Sequence, residues 1–210
     1  SALSQKVTGK YDRVEVIVVD DGSTDNSLEI AKRYPIKVIS QVNKGLASAR
    51  NTGIMNSAED RFDHYILPLD ADDILLDNCV QRIMEKIDET DADIIAPSFK
   101  EFGVSNAEVI LMPEPKLEDF RTGNRISYCS AIRKSALLGV GGYSPKMTWG
   151  YEDFHLWVNL LSQGKKIVTI PEFLWLYRTK PDSMITSAKE HHQELLDQIN
   201  KDFPEVQLNF

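Results

Sequence analysis

Continuous apolar runs alternate with helix-like periodic segments along the first half of the chain. The β-branched run at residues 14–19 is typical of a parallel strand that is covered on both faces. Further strands are predicted at residues 36–39, 64–69 and 92–96, with helices at 26–34, 45–57 and 76–89. This strand–helix alternation predicts an α/β fold with a Rossmann-like, mostly parallel central sheet flanked by helices.

The pattern changes after residue 99, where a small antiparallel addition to the sheet is expected. The predicted segments are an antiparallel strand at 107–112, a loop at 113–123, helices at 126–138, 152–162 and 185–199, a glycine break at 139–142, an aromatic loop at 143–151, and strands at 167–170 and 173–177. We find no linker that marks a second domain, so residues 1–210 are expected to form one domain.

Three carboxylates lie within four residues at the end of the predicted strand at 64–69, namely those of Asp70, Asp72 and Asp73. Like charges this close repel and raise one another's pKa. Ligands of open α/β sheets bind at the carboxyl ends of strands. Mg²⁺ or Mn²⁺ would offset the repulsion and leave coordination positions for phosphate, so the segment predicts a metal-diphosphate site.

Acidic residues also follow the first predicted strand. Asp20 and Asp21 precede the sequence Gly-Ser-Thr-Asp, although Asp20 by itself can equally cap the next helix. Because the carboxyl ends of parallel strands share one sheet edge, both acidic groups are expected to line one pocket. Arg50, in the second turn of a predicted helix, is either a solvated side chain or a bidentate ligand for an anion.

A further acidic pair begins the predicted helix at residues 152–162. Glu152 and Asp153 either stabilise the helix N-terminus or supply a general base. Trp149 and Tyr151 precede them and offer aromatic faces on which a sugar ring can stack. The spacing alone leaves both interpretations open.

Composition excludes some classes of partner. The 210-residue chain is 42% hydrophobic and 27% charged, with a net charge of −8, so no nucleic-acid-binding surface is expected. Cys79 and Cys129 have no metal-ligand spacing and form no disulfide framework, which favours a reducing compartment. No signal peptide or membrane span is predicted, so the chain is either cytosolic or a fragment of a larger protein.

Five segments, taken together, resemble the family 2 glycosyltransferases of GT-A fold in order and spacing over residues 14–183. They are VIVVDDGSTDNS, NKGLASARNTGI, LPLDADDIL, GVGGY and WGYEDFHLWVNLLSQGKKI. The resemblance implies a nucleotide-binding half at residues 1–100 and an acceptor-binding half at 101–210. As a set these segments are highly specific for the family.

The resemblance also implies roles for the acidic residues that follow the strands. Asp21 would contact the nucleotide base, Asp70 and Asp72 would form the DxD pair, and Asp72 would hold Mn²⁺ or Mg²⁺. The implied nucleotide-binding residues are Asp20, Asp21, Arg50, Asp70 and Lys180, and the implied metal ligands are Asp72, Asp70 and Asp73.

In the acceptor half, the resemblance makes Asp153 the catalytic base. It would deprotonate an acceptor hydroxyl, which displaces the nucleoside diphosphate in one step with inversion at the anomeric carbon. Glu152, Trp149 and Tyr151 would bind the acceptor.

Two departures from the family pattern stand out. The usual opening strand and its Pro-x-Tyr-Asn-like loop, which helps sandwich the base, have no counterpart, since residues 1–5 resemble the end of the following helix. We therefore expect weak donor binding by the chain as written. Lys180 also stands where many relatives have a metal-binding histidine. Either metal binding is weaker, or Lys180 contacts the diphosphate directly, which is our preferred interpretation.

The implied function is metal-dependent, inverting transfer of a hexose-type sugar in bacterial surface polysaccharide synthesis. The donor would be a nucleoside-diphosphate sugar, UDP-linked in our interpretation, and the acceptor a saccharide or lipid-linked hydroxyl. The expected location is the cytoplasm, including peripheral association with the inner face of the membrane. The alternatives are a nucleotide-sugar-binding module without turnover and a receiver-like phosphoacceptor domain, which leaves everything after residue 99 unexplained.

Overall fold

The computed structural model describes residues 1–8, 14–58, 64–181 and 184–210, so residues 59–63 and 182–183 of the family resemblance lie outside the described residues. Its strands are β1 (Ile17–Asp20), β2 (Lys37–Ser40), β3 (Tyr65–Ile66), β4 (Ile74–Leu75), β5 (Ile94–Gly103), β6 (Glu108–Val109), β7 (Ala131–Arg133) and β8 (Ile167–Thr179). Its helices are α1 (Ser27–Ala31), α2 (Leu46–Met55), α3 (Cys79–Thr90), α4 (Lys134–Gly139), α5 (Glu152–Ser162), α6 (Met184–Glu190) and α7 (His192–Asp202), with 3-10 turns at Ala2–Ser4 and Leu117–Thr122.

The described strands form two sheets. β1 and β2 pair in parallel, from Ile17 with Lys37 to Asp20 with Ser40. The larger sheet has the order β3-β7-β5-β8-β4, and β6 pairs with β5. Its longest pairing, β5 with β8, is parallel, whereas β3–β7, β5–β7, β4–β8 and β5–β6 are antiparallel. The α/β class is confirmed, with a mixed sheet whose antiparallel strands include β3 and β4 of the first half of the chain.

The core lies on both faces of β5. Successive side chains of a strand point to opposite faces, so Ile94 packs with Trp157 of α5 while Ile95 packs with Ile83 of α3. Ile94 and Ile95 are both fully buried. A strand covered on both faces needs apolar residues in succession, which is why this segment reads as a continuous run.

The predicted helix at residues 126–138 is wrong in its first half. Residues 126–130 are neither helix nor strand, and Ala131–Arg133 form β7, in which Ile132 pairs with Ile94 of β5 and Ile66 of β3. Only the end of the segment is helical, as α4. Long-range pairing in a buried sheet overrides the local helical pattern. The two strands predicted at 167–170 and 173–177 are one strand, β8, and the helix predicted at 185–199 is divided between α6 and α7.

The strand predicted at residues 64–69 is also shorter than expected, because only β3 at its start is paired. The chain then leaves the sheet and turns, and Asp73 N–H donates to the carbonyl of Asp70 (3.1 Å). β4 follows and pairs with β8, Ile74 opposite Leu176. This arrangement places the acidic turn at residues 70–73 beside the end of β8.

Candidate active site

The loop after β1 is fixed against the start of α2. The Asp21 carboxylate accepts hydrogen bonds from Lys44 N–H (2.9 Å), Gly45 N–H (2.8 Å) and the Gln41 amide (2.7 Å). Gly22 adopts φ +80°, and a Cβ there would lie 2.9 Å from Asn43 N, so only glycine fits this close approach. Asp21 therefore holds the N-terminus of α2.

Asp20 has a local structural role. Its carboxylate, 6% exposed, accepts hydrogen bonds from Ser23 N–H (3.3 Å) and from the Ser40 hydroxyl of β2 (3.0 Å). Hydrogen bonding, chiefly to Ser23, lowers the pKa of Asp20. Asp20 thus closes the turn after β1, and no described hydrogen bond joins it to the other predicted site residues.

Arg50 of α2 joins the two halves of the chain. Its guanidinium donates to Asp70 Oδ1 (2.9 Å) and to Glu152 Oε1 (2.6 Å), and the side chains of Arg50 and Glu152 are only 9% and 8% exposed. The guanidinium carbon also lies 5.0 Å from the ring centre of Tyr128 and 5.3 Å from that of Tyr143. Arginine keeps its charge at all working pH values, so Arg50 balances both carboxylates throughout that range.

The next residue of α2 makes a second connection. Asn51 Nδ2 donates to the carbonyl of Tyr143 (2.8 Å), and Asn51 Oδ1 accepts from the Tyr143 N–H (2.8 Å). Gly142 adopts φ +77°, and a Cβ there would overlap Asn51 Oδ1. The glycine break at residues 139–142 therefore lets the chain dock on α2.

Asp73 anchors the acidic turn to the sheet. Asp73 is 7% exposed. Its Oδ1 accepts a hydrogen bond from the backbone N–H of Arg178 (2.7 Å), and its Oδ2 accepts one from the Tyr128 hydroxyl. The same Tyr128 oxygen accepts the N–H of Asp70 (3.1 Å). Burial raises the pKa of Asp73. Its two oxygens therefore hold residues 70–73 against β8 on one side and against Tyr128 on the other.

The predicted metal site requires available carboxylate oxygens. Asp73 has both oxygens bonded within the protein. Arg50 holds Asp70 Oδ1, and the Lys180 ammonium lies 2.6 Å from Asp72 Oδ2. Within residues 1–8, 14–58, 64–181 and 184–210, no three His, Cys, Asp or Glu side chains are arranged to hold a metal ion. These side chains do not fit a protein-built Mn²⁺ or Mg²⁺ site, and the metal stays a prediction from the sequence.

Asp153 is the half-buried member of the acidic pair at the start of α5. It accepts from Phe154 N–H (2.7 Å) at Oδ1 and from the Asn124 amide (3.0 Å) at Oδ2. Burial and the neighbouring Glu152 charge raise the pKa of Asp153 to about 7. A carboxyl group with such a pKa can accept a proton efficiently near neutral pH.

The aromatic residues before α5 contact the C-terminal helices. The ring of Trp149 stacks on His191 with centroids 4.3 Å apart, yet Trp149 is 45% exposed. The Tyr151 hydroxyl lies 2.9 Å from His192 Nδ1. Tyr151 itself has φ +58°, an uncommon backbone conformation for a non-glycine residue that recurs at functional sites.

The structure therefore brings most, but not all, of the predicted residues together. Asp70 and Glu152 meet at Arg50, with Asp153 next to Glu152, whereas Trp149 contacts α6–α7 through His191. Sequence reasoning missed Tyr128, Asn124 and Arg178. Tyr128 was missed because its segment was predicted as a helix. Of the three, only Arg178 could have been found from the sequence, because it lies two residues before Lys180.

Comparison with known proteins identifies the class of fold. The chain superposes on the crystal structure of S. aureus TarS residues 1–349 in complex with UDP-GlcNAc with a TM-score of 0.72 and 19% identity, covering 93% of this chain and 59% of that one. The crystal structure of TarS residues 1–349 without that ligand gives a TM-score of 0.72 and 20% identity. That superposition covers 93% of this chain and 57% of the TarS chain. The fold is therefore that of the GT-A glycosyltransferases.

Sequence comparison identifies the family. The sequence model of Glycosyl transferase family 2 matches residues 1–152, and this chain belongs to that family. Glycosyltransferase GlyA of Streptococcus pneumoniae is 37% identical over 108 residues, which are 49% of this chain but 15% of GlyA. The chain thus spans a minor part of this relative. In the described residues no helix is both long and apolar enough to traverse a bilayer.

Proposed function

We propose that the chain carries the donor site and the catalytic base of an inverting glycosyltransferase. The observation that carries the proposal is the Arg50 bridge, which joins Asp70 at the sheet edge to Glu152, the neighbour of Asp153. A donor at the sheet edge and an acceptor at the start of α5 would then meet across Arg50. The raised pKa of Asp153, about 7, supports its role as base.

The proposed reaction is a single displacement. Asp153 takes the proton of an acceptor hydroxyl as its oxygen attacks the anomeric carbon. The bond from that carbon to the diphosphate oxygen breaks with its electron pair on the leaving nucleoside diphosphate. Attack opposite the leaving group inverts the anomeric configuration, and Asp153 then releases its proton to solvent. The Asn124 amide, 3.0 Å from Asp153 Oδ2, orients the carboxylate.

The proposed donor is a UDP-sugar and the acceptor a saccharide or lipid-linked hydroxyl of a surface polysaccharide. TarS, of similar fold, was crystallised with UDP-GlcNAc, which supports the donor class. On the acceptor side, Trp149 has an exposed aromatic surface suited to a sugar ring. Glu152 is buried on Arg50, so in this proposal it positions the site and does not touch the acceptor.

The proposal is tested by separating binding from turnover. Melting temperatures of the purified chain with UDP, GDP and CDP identify the nucleotide, since a ligand of the folded state raises the melting temperature. Hydrolysis of the matching nucleotide sugars then measures turnover. Asp153→Asn should keep nucleotide binding and lose about 100- to 10,000-fold in rate.

Asp77→Asn, at an exposed acid that follows β4, is the control and should leave the rate unchanged. Nucleotide binding without turnover in the unsubstituted chain would favour the non-catalytic binding module. Equal rates for the Asp153 and control variants would overturn the assignment of the base.

A further inference from the structure

Lys180 lies where the acidic turn opens to solvent. Its ammonium is 2.6 Å from Asp72 Oδ2, and the two side chains are 48% and 39% exposed. Exposed ion pairs contribute little to stability, because both partners stay hydrated. Stability alone therefore gives no reason to hold a lysine on this carboxylate.

Several bonds fix the position of this pair. Arg178 donates its N–H to Asp73 Oδ1 (2.7 Å) and its Nε–H to the carbonyl of Asp72 (3.0 Å). The Arg178 guanidinium also stacks over Phe102, 4.3 Å from the ring centre. The end of β8 is thereby locked against the turn, so Lys180, two residues further on, is delivered to Asp72 by the backbone.

Basic side chains already offset the repulsion among the three clustered carboxylates. Arg50 bonds Asp70 Oδ1, and Lys180 bonds Asp72 Oδ2. Asp73 has both carboxylate oxygens engaged by hydrogen bonds from Tyr128 and Arg178. A divalent ion would have to displace Lys180 to use Asp72 Oδ2. The repulsion among these carboxylates, which suggested a metal ion from the sequence, is therefore offset by Arg50 and Lys180.

We propose, building on the proposed function, that Lys180 supplies the positive charge for the donor diphosphate and that donor binding needs no divalent metal. An ammonium has three N–H donors, and the contact with Asp72 uses one of them. The other two can bind phosphate oxygens, as lysine does at other phosphate sites. Asp72 is then a positioning residue that aims the ammonium, and a fixed cation stabilises charge on the departing diphosphate.

Calorimetric titration with UDP, in EDTA and in Mn²⁺, tests this assignment. The unsubstituted chain should bind UDP with the same affinity in both conditions. Lys180→Ala should weaken binding in EDTA about 10- to 100-fold, the range for losing a hydrogen bond to a charged group. Mn²⁺ should restore part of that loss, because Asp72 Oδ2 is then available. Lys180→Arg, which keeps the charge, should bind UDP in EDTA.

Lys100→Ala is the matched control, since Lys100 forms a similarly exposed pair with Glu108 (2.6 Å) on another strand, and it should bind like the unsubstituted chain. UDP binding that requires Mn²⁺ and is unchanged by Lys180→Ala would overturn the inference and leave the proposed function standing. Failure of UDP, GDP and CDP to bind in either condition would overturn the proposed function and this inference with it.

Discussion

Two ion pairs beside the acidic turn differ in their exposure. Arg50 and Glu152 are 9% and 8% exposed, whereas Lys180 and Asp72 are 48% and 39% exposed. A buried pair is covered by its neighbours, so a ligand from solvent has little access to it. An exposed pair with free donors can exchange water for a phosphate. The Arg50–Glu152 pair therefore stabilises the structure of the site, and the Lys180–Asp72 pair is positioned to bind a phosphate.

Arg50→Ala tests how much the buried Arg50–Glu152 pair contributes to stability. The change leaves the Glu152 carboxylate buried without its cation and should cost about 3–5 kcal/mol of unfolding free energy. Urea denaturation followed by circular dichroism measures the loss. Arg82→Ala is the control, because Arg82 pairs with Glu85 and Glu172 at the surface and should cost at most about 1 kcal/mol. Equal effects of the two changes would remove the distinction between buried and exposed pairs.

Tyr128→Phe probes the second buried anchor of the same turn. It removes the hydroxyl that donates to Asp73 and accepts the N–H of Asp70, and it keeps the ring against Trp175. Leaving buried polar atoms unpaired should cost about 1–3 kcal/mol by the same urea assay. A variant as stable as the unsubstituted chain would mean that the turn is held by other contacts.

The pH dependence of turnover tests the assignment of Asp153 as the base on the acceptor side. Asp153 acts as a base only when it is deprotonated, so kcat/KM for nucleotide-sugar hydrolysis should fall as the pH drops below about 7, the raised pKa of its carboxyl group. The expected slope is about tenfold per pH unit. Residual turnover of Asp153→Asn should lack this step. A flat profile of the unsubstituted chain from pH 5.5 to 8 would contradict the assignment.

Trp149→Ala tests the exposed aromatic surface, where the smallest change is expected. Loss of one stacking face should weaken saccharide binding about two- to tenfold. Saturation-transfer NMR with a panel of saccharides measures the effect. Leu138→Ala, at another exposed apolar side chain, serves as the comparison and should have no effect. Unchanged binding by the Trp149 variant would assign the acceptor to a different surface.

Local patterns predicted the elements that depend on local chemistry. The β-branched run before Asp20 gave β1, and Gly45 correctly marked the start of α2. The pairing of β7 with β3 and β5 was missed because it depends on strands distant in the chain. Burial of this segment between β3 and β5 determined its strand conformation more strongly than its own helical pattern.

The candidate site divides in the same way. The acidic residues are visible in the sequence, because clustered charge at strand ends is unusual. Their partners are not: Arg50 and Glu152 are separated by 102 positions, and Tyr128 by 55 from Asp73. The sequence shows which groups carry charge, and only the fold shows which of those charges are already neutralised.

The anomeric configuration of the released sugar tests whether Asp153 catalyses a direct displacement. Proton NMR can follow hydrolysis of UDP-glucose or UDP-GlcNAc, in which water takes the place of the acceptor, before the free sugar equilibrates. An α-linked donor should release the β-anomer first, and Asp153→Asn should release it about 100- to 10,000-fold more slowly. First appearance of the α-anomer, or β-anomer formed at the same rate by the variant, would contradict the proposed mechanism.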